Sequence, residues 1–196
     1  MSIAKYKIIP NMIKKHSELF TNKKKVFGIR HGEAWHNVLY PIIGNKAYND
    51  FNDTTLTVHG IYQCTETEPP TVDVVLVSPL MRTLQTASFM FPNTKKIALE
   101  CLKEYPQHTD LCNKRSNTSF LTKIWPEINF EDLKEDSPWP SNVTGESNLK
   151  ELMDIINESD YTSIAVVTHS TWLKYWLTGK TETEPELQHC VPYQLN

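Results

Sequence analysis

The chain predicts an α/β fold, a three-layer α/β/α sandwich built on a mostly parallel central sheet. Short, predominantly apolar runs recur at residues 26–29, 72–77, 97–99 and 164–167. Strands that are apolar on both faces belong to sheets covered by helices on both sides. Stretches with helical spacing lie between the runs, the alternation that a parallel sheet requires. No internal repeat or low-complexity tract interrupts the pattern.

The first run, Val26-Phe27-Gly28-Ile29, reads as an edge-to-core strand, and Val72 to Val77 reads as a second. After it, Ser78 is placed to cap a helix and Pro79 suits a first helical position. Leu80, Leu84, Ala87 and Phe91 then repeat at near-helical spacing until Pro92 ends the element. Ile97-Ala98-Leu99 is the third run. Residues 105–146 are rich in Pro, Asp, Glu and Asn, carry Trp125 and Trp139, and show little periodicity. A long irregular segment in a compact domain is expected to be a substrate loop or lid, with a plain surface excursion as the alternative. A helix is expected from Ser147, with Leu149, Leu152, Met153 and Ile156 on one face. Ile164 to Val167 is the last long run. A helix after His169 carries Trp172, Leu173, Trp176 and Leu177 and stops at Gly179, and both tryptophans are expected in the core. A short strand is expected just before Asn196.

At 196 residues, the chain is expected to be a single domain, 1–196, with a real core. The apolar share of 39% and charged share of 22% exclude a disordered chain. Twenty Lys+Arg against twenty-three Asp+Glu give a net charge of −3, which argues against nucleic acid as a partner. No apolar stretch is long enough for a membrane span, and no secretory leader is evident, so a cytoplasmic location is expected. Residues 1–24 form a basic N-terminal extension, whereas ten acids face Lys134 and Lys150 over residues 127–160. Cys64, Cys101, Cys112 and Cys190 have no Cys-x-x-Cys spacing and are expected as reduced thiols. Oligomeric state is not legible.

Ligands of open α/β sheets bind beyond the carboxyl ends of the strands. Those ends carry Arg30-His31-Gly32-Glu33, Ser78-Pro79-Leu80-Met81-Arg82, Glu100 with Glu104, and Thr168-His169-Ser170. Two arginines, two histidines and a glutamate are therefore expected at one edge. Guanidinium groups clamp phosphate oxygens, and neutral imidazole attacks phosphorus to give a phosphohistidine. A second histidine stabilises charge on the equatorial oxygens, and a carboxylic acid protonates the leaving oxygen. Gly32 is expected to let the backbone approach the phosphate. The set reads as phosphoryl-transfer machinery without a metal; no His-Glu-x-x-His or paired-ligand spacing supports a metal-dependent hydrolase.

These motifs carry a resemblance. Ile29-Arg30-His31-Gly32-Glu33 with Asn37, then Leu56-Thr57, Gly60 and Gln63, resemble the histidine phosphatase superfamily, also called phosphoglycerate mutase-like. Ser78-Pro79-Leu80 with Arg82, Gln85, Thr86 and Ala87 continue the match, followed by Leu102-Lys103-Glu104, Gly145-Glu146-Ser147 and Val166-Val167-Thr168-His169-Ser170. The match spans about residues 25–194, in order.

The resemblance implies a phosphoglycerate mutase-like fold with His31 as the phosphorylated nucleophile. It implies Arg30, Arg82, His169 and Ser170 in the phosphate pocket, Asn37 as a helper and Glu104 as general acid and base. It implies no metal and no dissociable organic cofactor, and a small phosphorylated substrate or inorganic phosphate as the partner. Lys114 and Arg115 are candidates for a second anionic group of the substrate, or else a solvated basic pair. Mutases of the family usually carry a Gly-Trp-x-Asp-like segment before Leu-Thr, where this chain has residues 48–53, Tyr-Asn-Asp-Phe-Asn-Asp. The expectation is thus a phosphomonoesterase. A phosphoglycerate mutase-type phosphotransferase and a catalytically silent phosphate-binding protein are the alternatives.

Overall fold

A computed structural model describes residues 24–140, 143–182 and 186–195. The basic extension expected over residues 1–24 lies, apart from Lys24, outside the described residues.

Six strands form one sheet: β1 (Lys25–Arg30), β2 (Val74–Val77), β3 (Lys95–Ala98), β4 (Ile128–Asn129), β5 (Ser163–Thr168) and β6 (Pro192–Gln194). Their order is β4-β3-β2-β5-β1-β6. Every pairing is parallel except that of β1 with β6. The helices are α1 (Trp35–Ile43), α2 (Lys46–Asn49), α3 (Val58–Glu66), α4 (Met81–Met90), α5 (Thr118–Ile124), α6 (Gly145–Glu158) and α7 (Ser170–Thr178).

Strand alternation divides the core into two layers. Val74 and Leu76 of β2 join Ile164 and Val166 of β5 under Leu152 and Ile156 of α6 and Trp172 and Trp176 of α7. Val75 and Val77 join Ala165 and Val167 on the opposite face, under Leu84 and Ala87 of α4 and Leu121 of α5. The fold is therefore the expected sandwich. Each fully buried Leu or Ile contributes roughly 1.5–3 kcal/mol, so these paired layers supply most of the driving force. Gly179 ends α7 in the left-handed conformation, at φ 72°.

Several boundaries differ from expectation. Ser78 does not cap α4. Its N–H still extends the sheet, donating to Val167 O at 3.0 Å, and the N-cap is Leu80. A distant carboxylate does the capping: Asp53 Oδ1 accepts from Met81 N–H at 2.8 Å. Helix α6 begins at Gly145 because Thr144 accepts the Ser147 N–H, so Ser147 is already inside the first turn.

Residues 105–146 are not structureless. They supply α5 and β4 and bury Leu121, Ile128 and Phe130. The region between the first two runs, unassigned from sequence, holds α1, α2 and α3. Only His36 of α1 is buried, and the helix contains Pro41, so no apolar stripe marks it. Among the described residues, no helix is long and apolar enough to cross a membrane.

Candidate active site

Sheet register brings the polar strand ends together. β1 pairs with β5 so that Arg30 lies opposite Thr168. The next residues, His31 and His169, therefore emerge side by side, their rings edge-on with centroids 5.2 Å apart. β2 flanks β5 on the other side. Ser78, just past β2, consequently reaches His169, with Oγ 2.8 Å from Nε2. Arg82 lies in the first turn of α4, fully buried, and donates to Cys112 O at 2.7 Å and Asn113 Oδ1 at 2.9 Å.

Arg30, His31, Asn37, Arg82, Glu104 and Ser170 all line one cavity of about 390 Å³. His169 is fully buried beside His31 and is not among the lining side chains. Lys114 and Arg115 do not line the cavity. Lys114 is exposed, with Nζ 5.1 Å from the Trp139 ring centre. The Arg115 guanidinium is buried and committed to Glu100 at 2.8 Å and to Lys134 O at 2.7 Å. Arg115 is thus a strut between the 3₁₀ turn at Glu100–Leu102 and the loop before α6, which corrects its reading as a substrate contact.

The His31 ring is held by its Nδ1, 2.7 Å from Gly32 O. A carbonyl can only accept, so Nδ1 carries the proton and Nε2 keeps its lone pair. Burial, reinforced by Arg82, His169, His36 and Arg30, holds the His31 pKa well below the usual imidazole value. His169 is held low in the same way, by burial first and then by Arg82. Both rings are therefore neutral near pH 7. Glu104 is shifted the other way: burial raises its carboxyl to about 7, against the opposing pull of Arg82, the Tyr105 and Trp172 N–H groups and Arg30. Those two N–H groups donate to Oε1 at 3.0 and 3.2 Å, which fixes the carboxyl at the N-terminus of α7. Three buried atoms around His31 lack a hydrogen-bond partner: Arg30 Nε, Arg82 Nε and His169 Nδ1.

No protein-family model matches the chain. A Candida albicans protein named phosphomutase-like protein 3 is 28% identical over 186 residues, covering 79% of this chain and 59% of its own length. An Arthroderma benhamiae protein named "Probable phosphoglycerate mutase" is 26% identical over 192 residues, covering 80% and 57%. The chain thus spans less than three fifths of the length of these curated relatives. Among solved structures, the ecdysone phosphate phosphatase of Bombix mori, in complex with tungstate, superposes with a TM-score of 0.58 at 14% identity. That match covers 86% of this chain and 87% of the other. A mutant phosphoserine phosphatase of Entamoeba histolytica in complex with phosphoserine gives a TM-score of 0.50 at 22% identity, covering 77% and 76%.

The chain has the phosphoglycerate mutase-like α/β fold of these structures. Within this fold, the remaining motif residues brace the loop that presents His31. Gln63 Oε1 accepts from Glu33 N–H at 2.8 Å, and Thr86 Oγ1 accepts from Gly32 N–H at 3.0 Å. Asn37 Oδ1 accepts from Ala34 N–H at 2.9 Å. Glu33 accepts from the Thr57 hydroxyl at 2.7 Å, and Thr57 caps α3, so the acid serves that helix rather than the one following it. Gly32 is small for a reason other than close approach to phosphate. A Cβ there would stand 2.7 Å from Gly60 O and 3.2–3.3 Å from the sulfurs of Cys64 and Cys190 behind the loop.

The sequence reading missed two groups that line the cavity and a third that braces His31. His36 lines the cavity, with Nδ1 2.6 Å from Thr54 Oγ1 and its pKa lowered to about 2 by burial and then by Arg82 and Arg30. His189 places Nδ1 2.5 Å from His31 O. Glu186 also lines the cavity and binds Arg30 at 2.6 Å and Lys174 at 2.7 Å. None of the three lies at the carboxyl end of an apolar run.

The tightest brace is at Gly60, where a Cβ would meet Glu33 O at 2.1 Å and two more Glu33 backbone atoms at 3.0 Å. Backbone on both sides leaves no flexible atom to yield. Gly60→Ala is expected to cost about 3 kcal/mol, at the upper end for overpacking. A urea titration would read this as a lower midpoint at unchanged slope; an unchanged midpoint would contradict it.

Proposed function

We propose that this chain is a metal-independent phosphomonoesterase that works through a phosphohistidine on His31. The observation that carries the reading is the His31 ring itself. It is neutral, fixed through Nδ1 to Gly32 O, with Nε2 left as a lone pair among donors that lack acceptors. A phosphoryl group supplies those acceptors: its oxygens take the Nε–H of Arg30 and Arg82. With the Ser78 hydroxyl donating to Nε2 of His169, Nδ1 of that ring carries the proton and is a further buried donor without an acceptor, beside His31.

The cycle has two displacements. His31 Nε2 forms a bond to phosphorus as the ester oxygen–phosphorus bond breaks, and Glu104 gives its proton to the departing alkoxide. Water then attacks phosphorus, the Nε2–phosphorus bond breaks, and Glu104 takes the water proton back. Inorganic phosphate leaves with His31 and Glu104 as they began. With its pKa raised to about 7, chiefly by burial, Glu104 is protonated in about half its population near pH 7, and an arriving phosphate dianion pushes the pKa higher.

A second reading is favoured by the names of the curated relatives: transfer of the phosphoryl group from His31 to an acceptor alcohol instead of water. Both readings share the first half-reaction. The test is para-nitrophenyl phosphate hydrolysis with chelator present, with acid-labile phosphate on the His31 peptide sought after rapid quenching. Chelator-resistant turnover with that adduct supports the hydrolase. An adduct that persists in water until an alcohol acceptor is added supports the transferase, and no adduct on His31 defeats both.

A further inference from the structure

The charges around the cavity distinguish one class of phosphomonoester from another. The two cations expected to meet a second anionic group are elsewhere, Lys114 over Trp139 and Arg115 against Glu100. The cations that do line the cavity are Arg30, Arg82 and Lys174. Arg30 and Arg82 flank His31 and are needed for the phosphate. Lys174 is paired with Glu186 at 2.7 Å, and the other oxygen of the same carboxylate holds Arg30 at 2.6 Å. The Ser170 hydroxyl donates to that same carboxylate at 3.1 Å.

The acids that line the cavity besides Glu104 are Asp110, Glu182 and Glu186, together with the rings of His31, His36 and His108. Asp110 and Glu182 have no ion-pair partner among the described residues. A leaving group that carries a carboxylate would thus enter against two carboxylates, and among the described residues the cavity lining offers it no cation beyond the phosphate pair and Lys174, which Glu186 holds. Burying an unpaired charge beside like charges is costly, and such a juxtaposition is how binding sites reject wrong partners. A hydroxyl or an ammonium meets no such barrier.

We infer that the site takes phosphate monoesters of alcohols that carry no second acidic group, and that Asp110 and Glu182 turn away acidic ones. The inference rests on the phosphomonoesterase reading above and names its substrate class.

Three competitors of similar size, glycerol 3-phosphate, O-phosphoethanolamine and 3-phosphoglycerate, are to be measured as inhibitors of para-nitrophenyl phosphate hydrolysis. The carboxylate-bearing ester is expected to bind about tenfold more weakly than the other two. In the Asp110→Asn/Glu182→Gln double variant, and in part in each single variant, that gap is expected to shrink several-fold. Equal or tighter binding of 3-phosphoglycerate, or a gap that the variants leave intact, overturns the inference. Failure of the phosphatase reading looks different, because para-nitrophenyl phosphate would then not be hydrolysed at all. Calorimetric titration of the same three esters would still read the gap.

Discussion

Replacement of His31 by alanine is expected to lower phosphatase turnover by a factor on the order of 10⁴ or more, for good and poor leaving groups alike. The nearby imidazoles are in no position to substitute. The His36 ring centre is 5.9 Å from that of His31, and its Nδ1 is engaged with Thr54. His169 is fully buried, with Nε2 engaged by Ser78. His189 uses Nδ1 on the His31 carbonyl, a backbone atom that the substitution leaves in place. Arg30 and Arg82 are held by Glu186, Leu187, Cys112 and Asn113 rather than by His31, so the phosphate clamp survives. The variant should therefore still bind inorganic phosphate within several-fold of wild type while failing to turn over. Steady-state kinetics and a calorimetric phosphate titration on the same sample read both halves. Residual turnover within tenfold of wild type would remove His31 from the chemistry.

The sheet was the legible part of the fold, because burial on both faces writes itself as an uninterrupted apolar run. Val75 and Val77 cannot face water when Val74 and Leu76 face the other helical layer. Short or exposed elements leave no such trace. Strand β4 has two residues, and α1 buries only His36, so neither period is long enough to read. The start of α4 was misplaced for a different reason: its cap is Asp53, 28 residues upstream, and Ser78 is diverted to the sheet and to His169.

The candidate site divides along similar lines. Arg30, His31, Arg82 and Glu104 follow strand ends or the helix and turn just beyond them, and a parallel sheet delivers those ends to one edge, so local sequence sufficed. His36 and Glu186 reach the cavity, and His189 reaches the His31 carbonyl, through a helix and a C-terminal segment whose path depends on tertiary packing. Arg115 shows the converse. A basic pair in a loop suggested an anion contact, yet the partner that claimed it was Glu100, a residue the sequence reading noted only as following a strand. Charge in a sequence does not say whether its counterion will be a ligand or a neighbouring side chain.

Glu104→Gln is expected to separate substrates by leaving group and to remove a pH limb. The carboxyl, raised from 4.5 to about 7 by burial, is protonated below that pH and ionised above it. Donation to the leaving oxygen needs the protonated form. The phosphorylation rate on an alkyl phosphate should therefore hold level on the acid side and fall about tenfold per pH unit once pH exceeds the Glu104 pKa. A bound phosphate dianion raises that pKa further, so the break in kcat should lie above the break in kcat/KM. Glutamine keeps the shape and can still accept the Tyr105 and Trp172 N–H bonds, but it has no proton to give. The loss on alkyl phosphates should be about 10²–10³ in single-turnover phosphorylation, with the alkaline break gone. The nitrophenolate of para-nitrophenyl phosphate departs without protonation, so its phosphorylation rate should fall less than about tenfold. Its second step still needs the carboxylate to deprotonate water, so product should appear as a burst followed by a slow steady rate. Equal losses on both substrates, or an alkaline break that survives in the variant, would assign the proton to another group on the cavity wall.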